Sequence, residues 1–189
     1  MIIQVTETIS DGDCHRLMTL YGQRAHLSAV KDQTGQPVVD WSQLRDVPAG
    51  SGIIAHHITA CLRYISSASI FVDPLYPEAL VLAALPAGGC LSPHADNCRQ
   101  NEEGDWVPNH TPHRDASAIY YLNDDFEGGE IVFNREKVVV TPRRGLLLAF
   151  PSDGAHVHEV LPVRRGIRYT MPIWFTKQKA QALTDFPLQ

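Results

Sequence analysis

Hydrophobic positions along this chain change their spacing once, near residue 75. Before that point they recur every three or four places, as on one face of a helix; after it they gather into short runs broken by Gly and Pro, as in strands. Ile2-Ile3-Gln4-Val5 predicts an opening strand, and Ser10 followed by Asp13 marks a helix start with Leu17, Leu20 and Tyr21 on one face. From Ala25 to Gly50 the chain is polar, with Pro37, Pro48 and scattered Gly, so a loop with one strand at Val38-Val39 is expected. Ile54, Ile58, Cys61, Leu62 and Ile65 return at helical spacing and predict an amphipathic helix laid on a sheet, with His56 and His57 as packing or surface residues.

After a turn from Pro74 to Pro77, Ala79 to Leu85 is continuously apolar, and Pro86 to Gly89 turns the chain into Cys90-Leu91-Ser92. Further strands are predicted at Ala116–Leu122, Glu130–Phe133, Lys137–Thr141, Leu146–Phe150, Val157–Val160 and Arg168–Phe175. Such a series implies a mainly β fold with flanking α-helices, an antiparallel sandwich of the jelly-roll, cupin-like kind that is open at one end. One domain over 1–189 is expected, with a helical support to about residue 75, a jelly-roll core over about 76–176, and a short helix or tail from Lys177 to Gln189.

Bulk properties narrow the partners. With 44% hydrophobic and 20% charged residues and a net charge of −5, the 189-residue chain has the composition of a globular protein and no basic footprint for nucleic acid. No apolar run is long enough to span a bilayer, and the N-terminus lacks the pattern of a secretion signal. Cys14, Cys61, Cys90 and Cys98 follow no C-x-x-C spacing, so free thiols and a cytoplasmic setting are expected, with Cys98 nearest the candidate chemistry.

That chemistry begins at His94-Ala95-Asp96. On an extended backbone the two side chains leave the same face, and with a second histidine from another strand they can fill one face of an octahedral Fe(II) site, leaving positions for a co-substrate and O2. His156 and His158 are both candidates, and spacing does not separate them. A 2-oxo acid with a second carboxylate would need a cation in the same pocket; Arg168 opens the last strand with Thr170 facing the same way, whereas Arg143, Arg144, Arg164 and Arg165 sit beside Pro or Gly as surface charge. Tyr120 and Tyr121 point to opposite faces, so one hydroxyl can join Arg168. Trp174 and Phe175 are expected in the core. Residues 97–114 look like a flexible lid in which Trp106, His110 or His113 touches substrate; neither Gly88-Gly89 nor Gly128-Gly129 forms a phosphate-binding run.

The segments HADNC (94–98), RDASAIYYLNDDFEGGEIVF (114–133) and HEVLPVRRGIRYTMPIWFT (158–176), a little under a quarter of the chain, resemble the prolyl-hydroxylase type of iron(II)/2-oxoglutarate oxygenases, and within it the catalytic domain of collagen-type prolyl 3-hydroxylases. The resemblance implies a double-stranded β-helix, His94, Asp96 and His158 as catalytic iron ligands, Arg168 as the 2-oxoglutarate anchor and Tyr121 beside it. It also implies Fe(II), 2-oxoglutarate and O2 as requirements, with ascorbate as a reductant. Leu85 stands where many relatives have a co-substrate tyrosine, and the ending Phe186-Pro187-Leu188-Gln189 lacks the retention signal of the collagen enzymes, so collagen is not the expected substrate. The expected reaction is hydroxylation of an unactivated C–H bond of proline or a prolyl residue in a peptide or protein, with succinate and CO2 as co-products. Asp96 fills the position that a halide would need. The alternatives are the same chemistry on a free amino acid or small metabolite, and a non-catalytic jelly-roll binding module.

Overall fold

A computed structural model describes residues 1–68 and 73–187. In chain order the strands are β1 (Ile3–Val5), β2 (Val38–Asp40), β3 (Tyr76–Pro86), β4 (Leu91–His94), β5 (Cys98–Gln100), β6 (Trp106–Pro108), β7 (Ala116–Tyr121), β8 (Glu127–Gly128), β9 (Ile131–Phe133), β10 (Val138–Val140), β11 (Leu147–Pro151), β12 (His158–Val160), β13 (Val163–Arg165) and β14 (Ile167–Thr176). The α-helices are α1 (Asp11–Arg24), α2 (Trp41–Leu44) and α3 (Pro48–Ser67). Antiparallel pairing builds a six-stranded sheet in the order β1-β11-β7-β14-β3-β2 and a four-stranded sheet in the order β10-β9-β12-β4. This is the double-stranded β-helix expected from the sequence.

The large sheet is covered by helices on one face and partly by the small sheet on the other, and the two-residue period of a strand divides its residues between them. Leu80, Leu82 and Ala84 of β3, Ala118 and Tyr120 of β7, and Met171, Ile173 and Phe175 of β14 pack under the helices, against Leu17, Ile54, Ile58, Cys61 and Ile65. The other face, with Leu85 and Tyr121, meets Ile131, Phe133, Phe150 and Val160 between the sheets. Leu80, Leu82 and Ala84 are buried under the helices while Ala79, Val81 and Ala83 are half-buried on the opposite face, so the run from Ala79 to Leu85 is apolar on both sides. Phe133 and Phe150 meet edge to face there, with ring centroids 4.9 Å apart.

Local signals start both long helices. Ser10 Oγ accepts a hydrogen bond from Asp13 N at 3.1 Å and caps α1, with Asp11 and Asp13 in the favourable first turn. Pro48 lies in the first turn of α3, where its missing N–H costs nothing, so the helix starts six residues before Ile54, the first position of its apolar stripe. His57 is a packing residue: its Nε2 lies 3.1 Å from Asp13 Oδ2, and its carbonyl accepts from the buried Tyr120 hydroxyl at 2.7 Å. The first contact joins α3 to α1, and the second ties the helical layer to β7.

The structure adds detail to the sequence reading and departs from it in places. The stretch read as loop from Ala25 to Gly50 holds a 3-10 turn at Ala25–Leu27 and the short α2, whose Trp41 and Leu44 are buried. Four residues are too few for an intrinsically stable helix, so tertiary packing supplies the stability that pattern cannot reveal. Pro77, read as part of a turn, is the second residue of β3, tolerated where the ladder to β14 shifts register between Trp174 and Phe175. The expected lid contains a hairpin in which β5 pairs with β6. The C-terminal stretch forms a 3-10 turn at Lys179–Gln181, after which Phe186 packs on Trp41 at 4.8 Å; Leu188 and Gln189 lie outside the described residues. Among the described residues no helix is long and apolar enough to cross a membrane.

Burial makes the two faces unequal in cost. Leu82→Ala, which empties a fully buried site, is expected to destabilise the fold by about 2–5 kcal/mol. Val139→Ala on the 59% exposed flank of β10 is expected to change it by no more than about 0.5 kcal/mol. Urea denaturation of the two variants beside the parent chain checks both values.

Candidate metal centre and active site

β4 and β12 are neighbours in the small sheet, and their register sets His94 directly opposite His158. Cross-strand partners on one face are adjacent, which brings the two imidazole centroids to 4.4 Å. Nδ1 of His94 lies 2.8 Å from Ser92 O, and Nδ1 of His158 lies 3.0 Å from His156 O. A carbonyl can only accept, so Nδ1 carries the proton in each ring and Nε2 keeps the lone pair that a metal requires.

Asp96 arrives differently from the expectation. It lies in a bend beyond the end of β4 rather than on an extended continuation of it. Hydrogen bonds hold the bend: Asp96 N and Asn97 N both donate to Ser152 O at 3.1 Å, while Thr111 Oγ1 at 3.0 Å and Asn109 Nδ2 at 3.2 Å donate to Asp96 O. One ligand atom from each of His94, Asp96 and His158 then lies within 4.8 Å of the other two, a spacing that one ion can bridge. Asp96 Oδ2 is 4.0 Å from His158 Nε2. His156 is occupied elsewhere, in a 3-10 turn where its Nδ1 meets Asp153 at 2.7 Å and its Nε2 the Met1 amino group at 3.1 Å. It does not share the face of His158, because the strand begins only at His158.

Phe150 and Phe133 pack their rings 4.7 and 5.4 Å from that of His158. Burial pushes the His158 pKa down from 6.5 to about 4, against the opposing pull of the Asp96 charge. A neutral imidazole is the form that ligates metal, so burial prepares the site at neutral pH.

A cleft of about 740 Å³ opens over these residues and is lined by Arg168, Thr170, Trp174, Leu85 and Ser117 as well as the three candidate ligands. Arg168 stands opposite Leu85 on the adjacent strand and is only 5% exposed, yet its Nε finds no hydrogen-bond partner among the described residues. Its stem runs over Gly129, where an added Cβ would come within 2.9 Å of Arg168 Cδ and where φ is +68°. Glycine is required there on both counts. Tyr121, fully buried behind the arginine, has its ring centroid 5.0 Å from the guanidinium carbon, and its hydroxyl, near the Arg168 side chain, makes no hydrogen bond of good geometry among the described residues. Burial pushes the Tyr121 pKa up against the lowering effect of the Arg168 charge, so the phenol keeps its proton. Tyr120 points the other way, to the helices.

Other expectations are corrected. Trp174 is half-buried in the cleft wall rather than in the core, with the Arg114 guanidinium 4.2 Å over its ring. His113 is paired with Glu78 at 3.2 Å, and the same carboxylate accepts from Arg114 Nε at 2.9 Å, so His113 is part of the wall's brace. Sequence reasoning missed Glu78, Ser117 and Ser152. Ser117 Oγ lies 2.6 Å from Asp96 Oδ2; its one sequence signal is a hydroxyl inside the otherwise apolar run Ala116 to Tyr121.

Residues 80–176 match the 2OG-Fe(II) oxygenase superfamily, and this chain belongs to it. It is an enzyme class that uses Fe(II) and 2-oxoglutarate. Among curated proteins, prolyl 3-hydroxylase 2 of Rattus norvegicus is 41% identical over 91 residues, which cover 44% of this chain and 13% of that much longer protein. Among solved structures, the viral collagen prolyl hydroxylase of Paramecium Bursaria Chlorella virus-1 superposes with a TM-score of 0.69 at 18% identity, covering 92% of this chain and 94% of that one. A Pseudomonas putida prolyl-4-hydroxylase gives a TM-score of 0.65 at 21% identity, with 94% and 92% covered. At these identities the likeness is one of fold. The donor set fits the family's metal: two Nε2 lone pairs and one carboxylate converge beside a cleft holding a buried, incompletely paired guanidinium.

The depressed His158 pKa has a signed consequence. Between pH 6.5, where an unfolded histidine titrates, and about 4, the unfolded chain binds a proton that the folded one refuses. Stability of the metal-free protein therefore falls as pH falls through that window. His158→Gln is expected to flatten this part of the profile, and urea midpoints at intervals from pH 7.5 to 4 measure it; equal slopes in parent and variant would contradict the assignment.

Proposed function

We propose that this chain is a single cytoplasmic hydroxylase domain spanning residues 1–189, in which His94, Asp96 and His158 ligate Fe(II) and Arg168, Thr170 and Tyr121 hold 2-oxoglutarate. Its substrate in this reading is proline or a prolyl residue in a peptide or protein. When bound, Fe(II) with 2-oxoglutarate and O2 supplies oxidative decarboxylation to succinate and CO2 and delivery of one oxygen atom to a C–H bond. The observation that carries the reading is the buried Arg168 Nε and Tyr121 hydroxyl, both without a hydrogen bond of good geometry among the described residues, beside a cleft lined by two imidazoles and a carboxylate. Leaving a buried polar group unpaired costs about 1–3 kcal/mol, and a dicarboxylate lying with one end toward Arg168, which lines the cleft, would give the guanidinium its acceptors.

The chain's own groups divide the work. Arg168 would bind the distal carboxylate by a charge-assisted pair, with Thr170 Oγ1 as a second donor and the Tyr121 proton available to the same oxygens. Leu85, beside Arg168, offers no hydroxyl and shapes the pocket by contact alone. His158, kept neutral by burial, and His94 would present their Nε2 atoms, and Phe133 and Phe150 keep water from the back of the His158 ring. Trp174 and the stacked Arg114 form a wall on which a prolyl ring could lie. The prolyl assignment draws on the 41% identity to a prolyl 3-hydroxylase in this region, and the cytoplasmic one on four free cysteines.

Arg168→Ala is expected to raise the apparent KM for 2-oxoglutarate by roughly 10²-fold, the scale of losing about 3 kcal/mol of charge-assisted pairing, while Mn(II) affinity changes little. Equal loss of both would remove Arg168 from the role. Coupled succinate and product-mass assays on proline, prolyl peptides and free amino acids separate the substrate classes. Oxidation of free amino acids alone would replace the prolyl reading, and the absence both of a charge-transfer band on anaerobic addition of Fe(II) and 2-oxoglutarate and of succinate once air is admitted would favour a binding module.

A further inference from the structure

The carboxylate of Asp96 meets one buried hydroxyl, which in turn meets a second. Ser117 Oγ lies 2.6 Å from Asp96 Oδ2, and Ser152 Oγ lies 2.8 Å from Ser117 Oγ. Ser117 is 2% exposed and Ser152 fully buried, so bulk water does not compete for either. Each hydroxyl has one proton to give, and an ionised carboxylate can only accept. The direction of the chain follows: Ser117 spends its proton on Asp96, its oxygen is left as an acceptor, and Ser152 donates to it. The short first contact has the length of a charge-assisted O–H···O⁻ bond.

We propose that Ser152 and Ser117 form a directed hydrogen-bond relay that positions the Asp96 carboxylate for metal binding, a role that rests on Asp96 being a ligand as proposed above. Both are positioning residues. Ser117 holds Oδ2 at one rotation of the carboxylate, and Ser152 holds the Ser117 hydroxyl at the torsion that aims it at Oδ2. Ser152 also acts through its backbone, where the carbonyl oxygen accepts Asp96 N and Asn97 N at 3.1 Å and fixes the bend. Replacement of its side chain leaves that anchor in place, so the relay can be removed without dismantling the turn. Ser117 sits on the cleft-facing side of β7 because Ala116 and Ala118, on either side, pack under the helices.

Hydrogen-bond partners behind a metal ligand commonly contribute 10–100-fold to metal affinity. Co(II) titration of the purified full chain, followed by its visible absorption with thermal melting as a check of folding, tests the relay without turnover. Ser117→Ala is expected to weaken Co(II) binding by about 10–100-fold. Ser152→Ala should have a smaller effect, and the double variant should match Ser117→Ala, because Ser152 acts only through Ser117. Ser117→Thr, which keeps the hydroxyl, should restore the affinity. Parental affinity in a folded Ser117→Ala chain, or strictly additive losses in the double variant, would overturn the relay alone. Failure of the parent chain to bind Co(II), or binding unaffected by Asp96→Ala, would overturn it together with the ligand assignment beneath it.

Discussion

The antiparallel pairing of β4 with β12 is the constraint from which the site follows. It sets His94 and His158, far apart in the chain, across from one another on a single sheet face. Strand spacing then fixes the ring separation, and backbone carbonyls within two residues of each histidine settle which nitrogen is free. Neither ring needs a distant side chain to orient it. The third donor is held by a different device, a bend tied to Ser152 of the loop after β11, so three elements must fold before the donors meet. Metal binding and folding of this region are therefore linked.

The large sheet supplies the other half of the chemistry through its alternation. On β7 and β14 the residues turned to the helices are apolar, and those turned to the cleft include Ser117, Arg168, Thr170 and Trp174. A strand interleaves the two sets at no conformational cost, which is how a guanidinium comes to lie within a sheet whose opposite face is a hydrocarbon core. The helical layer serves the site indirectly by sealing that far face. Tyr120, whose hydroxyl reaches the α3 backbone, and Tyr121, whose ring lies against the Arg168 guanidinium, are successive residues with opposite duties.

Polar groups in and around the cleft wall differ in how far the protein itself satisfies them. Glu78 is saturated by His113 and Arg114, and His156 by Asp153 and the amino terminus. These groups have their partners within the protein. Arg168 Nε and the Tyr121 hydroxyl make no hydrogen bond of good geometry among the described residues, though both are buried. Such unpaired groups are costly, and at the side of an open cleft they mark where a polar ligand belongs.

Local patterning by itself determined the two long helices, most strands, the period change near residue 75 and the pairing of a H-x-D run with a later histidine and arginine, because these rest on spacing and on the chemistry of single side chains. Spacing left His156 and His158 undivided and the family resemblance pointed to His158, which the structure brings into the metal-capable group; only the tertiary structure decided that Asp96 stands on a bend, that Trp174 faces the cleft, and that Ser117 and Ser152 back the carboxylate. On a continuous strand His156 and His158 would share a face, but the strand begins only at His158 and leaves His156 in a turn, and a serine in an apolar strand carries no mark of the carboxylate that another loop will bring to it.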